Sequence, residues 1–304
     1  MAEVRDIPEM TMLNTANGFF HKIGVFLEMI KFSHTVFALP FALTGALLAA
    51  RGLPSWQQIL WIVLAMVGAR TAAMGLNRLI DAEIDARNPR TAVRAIPAGL
   101  IGKGATLGFI TASLALLLVA AARLNPLCLK LSPLAVFFLV LYSYCKRFTA
   151  LAHVVLGICL AAAPVGAWIA IRGSIDLPAV ILGLVVLFWV AGFDILYALQ
   201  DLEFDRSAGL HSIPVALGVN GSLWAARLFH LVMLGLLIGM MNVMQLGGWF
   251  LTGIAAVAAM LAYEHWLLKD GDLTKLDAAF FNMNGYISVA VLVFTALEVL
   301  VRWV

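Results

Sequence analysis

Two sets of acidic residues recur at helical spacing in a very apolar chain. The first is Asn77, Asp81 and Asp85; the second is Asp194, Asp201 and Asp205, with Tyr197 between its first two acids. Residues four apart stand one turn above another on one face of a helix, so each set aims its carboxylates in one direction. A carboxylate at the centre of a lipid-spanning helix costs roughly 2.5–3.5 kcal/mol. Two such clusters therefore call for a cation or another partner. Hard oxygen donors suit magnesium rather than zinc or copper, and magnesium is held by one or two carboxylates together with substrate phosphates. Asn77 adds a neutral amide oxygen. Cations follow closely: Arg87, Arg90 and Arg94 after the first set, and Lys146 and Arg147 farther along. Acids and bases at one membrane face fit a metal-bridged polyanion such as a diphosphate, with the cations on the remaining phosphate oxygens. The alternative is ordinary solvated helix ends, which suits Glu83 and Glu203, off the two faces. It suits the ladder aspartates poorly, because helix C-termini prefer cations and that preference is violated twice.

The elements that must position these residues are membrane helices. Of 304 residues, 63% are hydrophobic and only 12% charged, with mean hydropathy +0.98. A soluble domain carries about 25% charge. The net charge of +3 is too small to argue for nucleic acid. Apolar runs of spanning length lie near 26–50, 56–80, 104–122, 127–145, 151–171, 178–200, 221–242, 247–268 and 280–303. They predict an all-α polytopic bundle of nine transmembrane helices. Residues 1–22, which show no convincing signal peptide, read as a short lead, and 23–304 as a single transmembrane domain. Twelve Lys and Arg residues between the runs fall on the N-terminal side against five on the other. This bias places the N-terminus, and both acidic sets, at the cytoplasmic face. Cys128, Cys145 and Cys159 are scattered, with neither disulfide nor zinc spacing, and read as small apolar packing residues.

A weak internal repeat adds to this. The second run ends Asp81-x3-Asp85 and is followed by Ile96-Pro97; the sixth ends Asp201-x3-Asp205 and is followed by Ile213-Pro214. Duplication of helices 1–4 as 5–8 would set two equivalent ladders across one cavity. Element, acid spacing and loop recur together, which favours duplication over chance recurrence of Asp and Ile-Pro at helix ends.

The run from Asn77 to Asp85 resembles the NxxxDxxxD motif of the UbiA family of intramembrane prenyltransferases. So do Arg90-Thr91-x2-Arg94-x2-Pro97, Tyr142-x3-Lys146, and Asp194-x6-Asp201-x3-Asp205. The resemblance covers nearly the whole chain, with four motifs in order. It implies a helical bundle with a central cavity and a lateral opening to lipid. It also implies magnesium-dependent transfer of a polyprenyl group from an isoprenoid diphosphate to an acceptor, often an aromatic ring. Carried over by position, Asn77, Asp81, Asp85, Asp201 and Asp205 would bind magnesium and diphosphate. Tyr142, Lys146, Arg90 and Arg94 would contact diphosphate or close the site, with Tyr197 among the substrate contacts. Asp194, about two turns before Asp201, would orient or deprotonate the acceptor.

Arg70 bears on the acceptor. It lies two turns deeper than Asn77 on nearly the same face and needs an anion there. It either pairs with Asp194 or holds an acceptor carboxylate; the family's aromatic-acid members carry a comparable Arg. The expected acceptor is therefore an aromatic acid of quinone biosynthesis, 4-hydroxybenzoate or a dihydroxynaphthoate, in a bacterial inner membrane. The first run, Lys31 to Phe41, departs from the Arg-rich start of many aromatic-acid members and resembles bacterial 4-hydroxybenzoate-type enzymes, some of them assigned to menaquinone synthesis by the futalosine route. It leaves ubiquinone and menaquinone precursors both open. Lys31 or His34 would touch the acceptor, with a packed core histidine the plainer reading of His34. His153, His230 and His265 receive no role. Other family acceptors (haem, chlorophyll-type, lipid) or an ion-coupled transporter, which also uses intramembrane acids and repeats, are the competing functions.

Overall fold

The structure, a computed structural model, describes residues 22–29, 38–268 and 276–304, with backbone alone over 276–282. The lead up to residue 21, and the expectations attached to Lys31 and His34, lie outside the described residues. Every regular element among the described residues is helical. A short helix covers 22–29 (α1), followed by α2 (Ala38–Ala50), α3 (Trp56–Ile80), α4 (Ala82–Arg87), α5 (Lys103–Leu124) and α6 (Pro126–Cys145). Then come α7 (Ala152–Arg172), α8 (Leu177–Ala198), a 3₁₀ turn (Leu199–Asp201), α9 (Leu202–Ser207), α10 (Ile213–Met244), α11 (Gly248–Leu267) and α12 (Leu276–Trp303). Eight helices among the described residues are long and apolar enough to cross a membrane, and α2 is a shorter apolar helix.

Local chemistry sets several boundaries. Ser55 and Gln58 form a reciprocal capping box at the start of α3. Asn125 accepts the Leu127 and Cys128 amides at 3.0 Å, Pro126 opens α6, and the Asn125 side chain donates to the Ile169 carbonyl at 2.8 Å. One residue thus turns the chain and ties that end to α7. The seventh apolar run was expected to begin at 221, after Asn220-Gly221. The helix instead begins at Ile213, because Ser212 caps it, accepting the Val215 amide, and a proline follows in its first turn. The break falls at Gly218, with φ 66° and ψ −175°, a conformation glycine tolerates and other residues resist.

The helix α8 is the most deeply buried span, enclosed by α7 and α10. Trp189 on α8 is fully buried, packs against Phe41 and Phe193, and donates to Asn284 at 3.0 Å. Between α7 and α8 the backbones touch: a Cβ on Gly157 would lie 2.6 Å from the Leu187 carbonyl oxygen. Such contacts let helices approach in lipid, where apolar side chains gain little by leaving the solvent. Large exposed apolar side chains, such as Leu118, Phe137, Leu228 and Leu251, spread over several helices. That is the surface a bilayer would cover.

Candidate active site

Both ladders straddle a hinge. At Asp81 (φ −89°, ψ 0°) α3 gives way to the six-residue α4; at Asp201 (φ −102°, ψ 3°) the end of α8 gives way to the six-residue α9. Sequence spacing implies one continuous helix through each ladder, and no Gly or Pro marks the break. Register nonetheless survives across the first hinge: the Asp81 amide donates to Asn77 O at 3.0 Å and the Asp85 amide to Asp81 O at 2.8 Å. Asp81 and Asp85 therefore remain stacked and are nearly fully buried.

Each carboxylate is met by cations, and the cations cross between ladders. Asp81 accepts from Lys146 at 2.7 Å, from Asn77 at 3.0 Å and from Arg147 at 3.5 Å. Lys146 also lies within the electrostatic field of Asp205. Asp85 is forked by Arg94 at 2.7 and 2.8 Å, and the same guanidinium acts on Asp201. Arg90, two residues past Asn88 in the loop after the first ladder, grips both oxygens of Asp201 on the second and reaches the Tyr197 hydroxyl at 3.4 Å. Asn88 adds a 2.9 Å bond to Asp201. The two acidic sets thus share one group of bases. Burial lifts the Asp81 carboxyl above its ordinary range, with Lys146 and Arg147 pulling the other way. Burial also opposes the charge on Arg90, but Asp201 more than offsets it and holds that guanidinium above its ordinary pKa.

Deeper in, Asp194 pairs with His153 at 2.7 Å across α8 and α7. The Ile213 amide donates to His153 Nε2 at 3.4 Å. A backbone N–H can only donate, so Nε2 is an acceptor and a neutral His153 carries its proton on Nδ1, toward Asp194. Arg70 does not pair with Asp194: that carboxylate is taken, and Arg70 Nε is buried without a hydrogen-bond partner among the described residues. Tyr142 stands within the fields of Asp194 and Asp81, between the hinge and the deeper dyad. All twelve sequence-predicted site residues lie among the described residues, and eleven of them, every one but Arg70, are joined by these contacts and fields.

Three contributors went unread in the sequence and a fourth was read incompletely. His153 is a lone histidine with no partner at helical spacing. Asn88 is one polar residue in a polar loop. Arg78, buried and bonded to Asn77 at 3.4 Å, acts on Asp81 and Asp85; its place inside the Asn77 motif was the available signal. Arg147, read only as a nearby cation, touches Asp81 itself and donates to the Ile80 carbonyl at 2.8 Å. Conversely, Arg87, read with the diphosphate cations, lines a different cleft beside Glu83 and Lys103.

Among the described residues no three His, Cys, Asp or Glu side chains form a group that could hold a metal alone. A closed cage of the zinc or calcium kind is thus not built. The donors at hand are carboxylates and one amide at a face rich in bases, which fits magnesium completed by substrate phosphates.

The chain is similar to known proteins over most of its length. The sequence profile of the UbiA prenyltransferase family matches residues 38–286. The 4-hydroxybenzoate octaprenyltransferase of Aliivibrio fischeri (strain MJ11) is 30% identical over 247 residues, covering 80% of this chain and 86% of that protein. The enzyme of the same name from Vibrio atlanticus (strain LGP32) is 30% identical over 255 residues, covering 83% and 88%. The apo structure of a UbiA homolog from Aeropyrum pernix K1 superposes with TM-score 0.80 at 32% identity, covering 88% of this chain and 98% of that one. A UbiA homolog from Archaeoglobus fulgidus, bound to DMAPP and Mg2+, shares the fold with TM-score 0.68 at 22% identity, covering 91% and 99%.

Proposed function

The chain belongs to the UbiA prenyltransferase family, and from that premise we propose that it prenylates the ring of an aromatic carboxylic acid, 4-hydroxybenzoate or a dihydroxynaphthoate, in quinone biosynthesis. It is an integral multi-pass membrane enzyme, and the donor is an isoprenoid diphosphate. The observation that carries the site assignment is the crossing of the first ladder's loop to the second ladder, Arg90 and Asn88 both on Asp201. Two acidic sets held by one group of cations would serve one diphosphate.

Asn77, Asp81, Asp85, Asp201 and Asp205 are the residues that would hold magnesium. When bound, the ion would offset negative charge developing on the departing diphosphate. Arg90, Arg94 and Lys146 would take phosphate oxygens, with Tyr142 and Tyr197 among the substrate contacts. As the allylic C–O bond breaks, the diphosphate leaves with the electron pair and the carbon gains cationic character. A ring carbon of the acceptor attacks, and loss of its proton restores aromaticity. Apolar walls exclude water that would trap the cation.

Arg70 supports an acid acceptor: its buried, unpartnered Nε calls for an anion. The 4-hydroxybenzoate octaprenyltransferase relatives favour the same chemical class. Asp194 is the group we assign to orient or deprotonate the acceptor, with His153 as its positioning residue. For the architecture we infer nine spans, the eight long helices plus the short, buried α2, in one domain over 23–304 around a central cavity open laterally to lipid. The hinge at the middle of each ladder supports descent from a duplicated unit. The excess of Lys and Arg supports an active site facing the cytoplasm of a bacterial inner membrane.

Turnover of a labelled polyprenyl diphosphate with 4-hydroxybenzoate, with and without magnesium, tests this reading. Asp81→Ala and Asp201→Ala are each expected to abolish transfer while the protein still inserts. Retained turnover in either variant removes that ladder from the site.

A further inference from the structure

A second cleft, of 480 Å³, opens beside the ladders rather than between them. Glu83 and Arg87 share one face of α4, whereas Asp81 and Asp85 stack on another. Three cations among the described residues line the cleft: Arg87, Lys103 and Arg147. Arg87 and Lys103 are exposed and make no ion pair among the described residues. Arg147 is anchored through one guanidinium nitrogen, on the Ile80 carbonyl at 2.8 Å and Asp81 at 3.5 Å, which leaves its other donors free to face the cleft. Apolar side chains complete the lining, Ile84 and Leu210 buried, Leu79 and Ile80 half-buried.

The apolar surface continues outward from this basic rim. Leu107 stands one turn from Lys103 on the same face of α5 and is 53% exposed. Tyr144, with the Arg147 guanidinium 5.0 Å from its ring, and Phe148 are exposed on the other side. Of the eight long spans, α6, which ends at this cleft, is the least buried within the protein and therefore the most open to lipid. A free phosphate compound would use the three cations and gain nothing from the apolar lining and its extension. An amphiphile would use both. Glu83 is the one acid among the described lining residues, which are net positive, and it supplies an acceptor for a headgroup hydroxyl.

We propose that this cleft binds the headgroup of an anionic phospholipid of the phosphatidylglycerol type. Its phosphate lies among Arg87, Lys103 and Arg147, a headgroup hydroxyl donates to Glu83, and its chains run along Leu107 and Tyr144. Basic pockets at the ends of membrane helices are suited to such headgroups. The site is separate from the proposed diphosphate site and shares only Arg147's neighbourhood with it.

The test is lipid competition on the full-length protein. Wild type and Arg87→Gln/Lys103→Gln are equilibrated with equal amounts of phosphatidylglycerol and phosphatidylcholine, and retained lipid is read by native mass spectrometry. Wild type is expected to prefer phosphatidylglycerol, and loss of two cations to cut that preference roughly tenfold. Arg123→Gln, at the far end of α5, is expected to keep it. Prenyl transfer by the double variant in neutral detergent is expected to match wild type. An unchanged preference in the double variant overturns the proposal. Displacement of the lipid by millimolar inorganic diphosphate overturns it in favour of a free-phosphate site. Loss of transfer along with the preference overturns the separation from the active site.

Discussion

Asp194 is a half-buried carboxylate in an apolar span, and His153 gives it a hydrogen-bond partner. The neutral ring points Nδ1–H at the carboxylate, with the Ile213 amide holding the other nitrogen. Replacing His153 by Ala is expected to lower kcat while leaving the diphosphate KM nearly unchanged, since the ladder contacts are untouched. His153→Asn, which keeps an N–H donor, should recover part of the loss. Equal kcat in all three proteins would make the pair a packing contact. Arg70 behaves differently. With a buried Nε lacking a partner, it is expected to act through acceptor binding, so Arg70→Ala should raise the KM for the acid by about tenfold or more, the worth of a charge-assisted bond. A carboxylate-free phenol should show no such change. An unaltered acceptor KM assigns Arg70 to structure. The aspartates, Arg90, Arg94 and Lys146 were legible beforehand because acid spacing and loop cations follow helical geometry. His153 was not, because its partner lies 41 residues away in the chain and no spacing rule reaches that far.

The helices that bring these side chains together meet at small residues. Gly157 lies one turn after His153 on α7 and touches the α8 backbone at Leu187, two turns before Asp194. Any Cβ there must push α7 and α8 apart. Gly157→Val is expected to cost about 1–3 kcal/mol, as overpacking does, and to lengthen the 2.7 Å contact of the dyad. It should therefore lower both thermal stability in detergent and kcat, while Gly166→Val, where a Cβ meets nothing within 4 Å, lowers neither. Several helix ends lie close to the ends of the apolar runs, where caps such as Ser55 and Asn125 stand. The hinges at Asp81 and Asp201 were not. Each is a small change of φ and ψ within an unbroken register at the first ladder, and no residue type announces it.

Across the bundle, the loops after α4 and α9 meet at one end, where Arg90 joins Asp201 and the Lys146 carbonyl accepts the His211 amide at 2.7 Å. The link between α7 and α8, Gly173–Asp176, lies at the other end of those helices. Single cysteines replacing Ala92 and Ser207, on a background lacking the three native cysteines, are therefore expected to react with an impermeant thiol reagent from one side. A cysteine at Ser174 should react from the other. Labelling of positions 92 and 207 from opposite sides would break the shared site. Exposed Trp56, Trp249 and Trp266 lie near helix ends, where membrane proteins carry interfacial aromatic belts.

Composition, hydrophobic run length and the four-residue spacing of acids were enough to establish a helical membrane protein with two carboxylate ladders at one face. Those properties are local, because a helix repeats every 3.6 residues and a bilayer demands a set length of apolar chain. Which base meets which acid is another matter. That Arg90 crosses to Asp201, that His153 rather than Arg70 takes Asp194, and that Arg87 turns to a separate cleft all depend on how helices distant in sequence approach and rotate. Such contacts arise from the summed packing of many side chains, which no short stretch of the chain encodes.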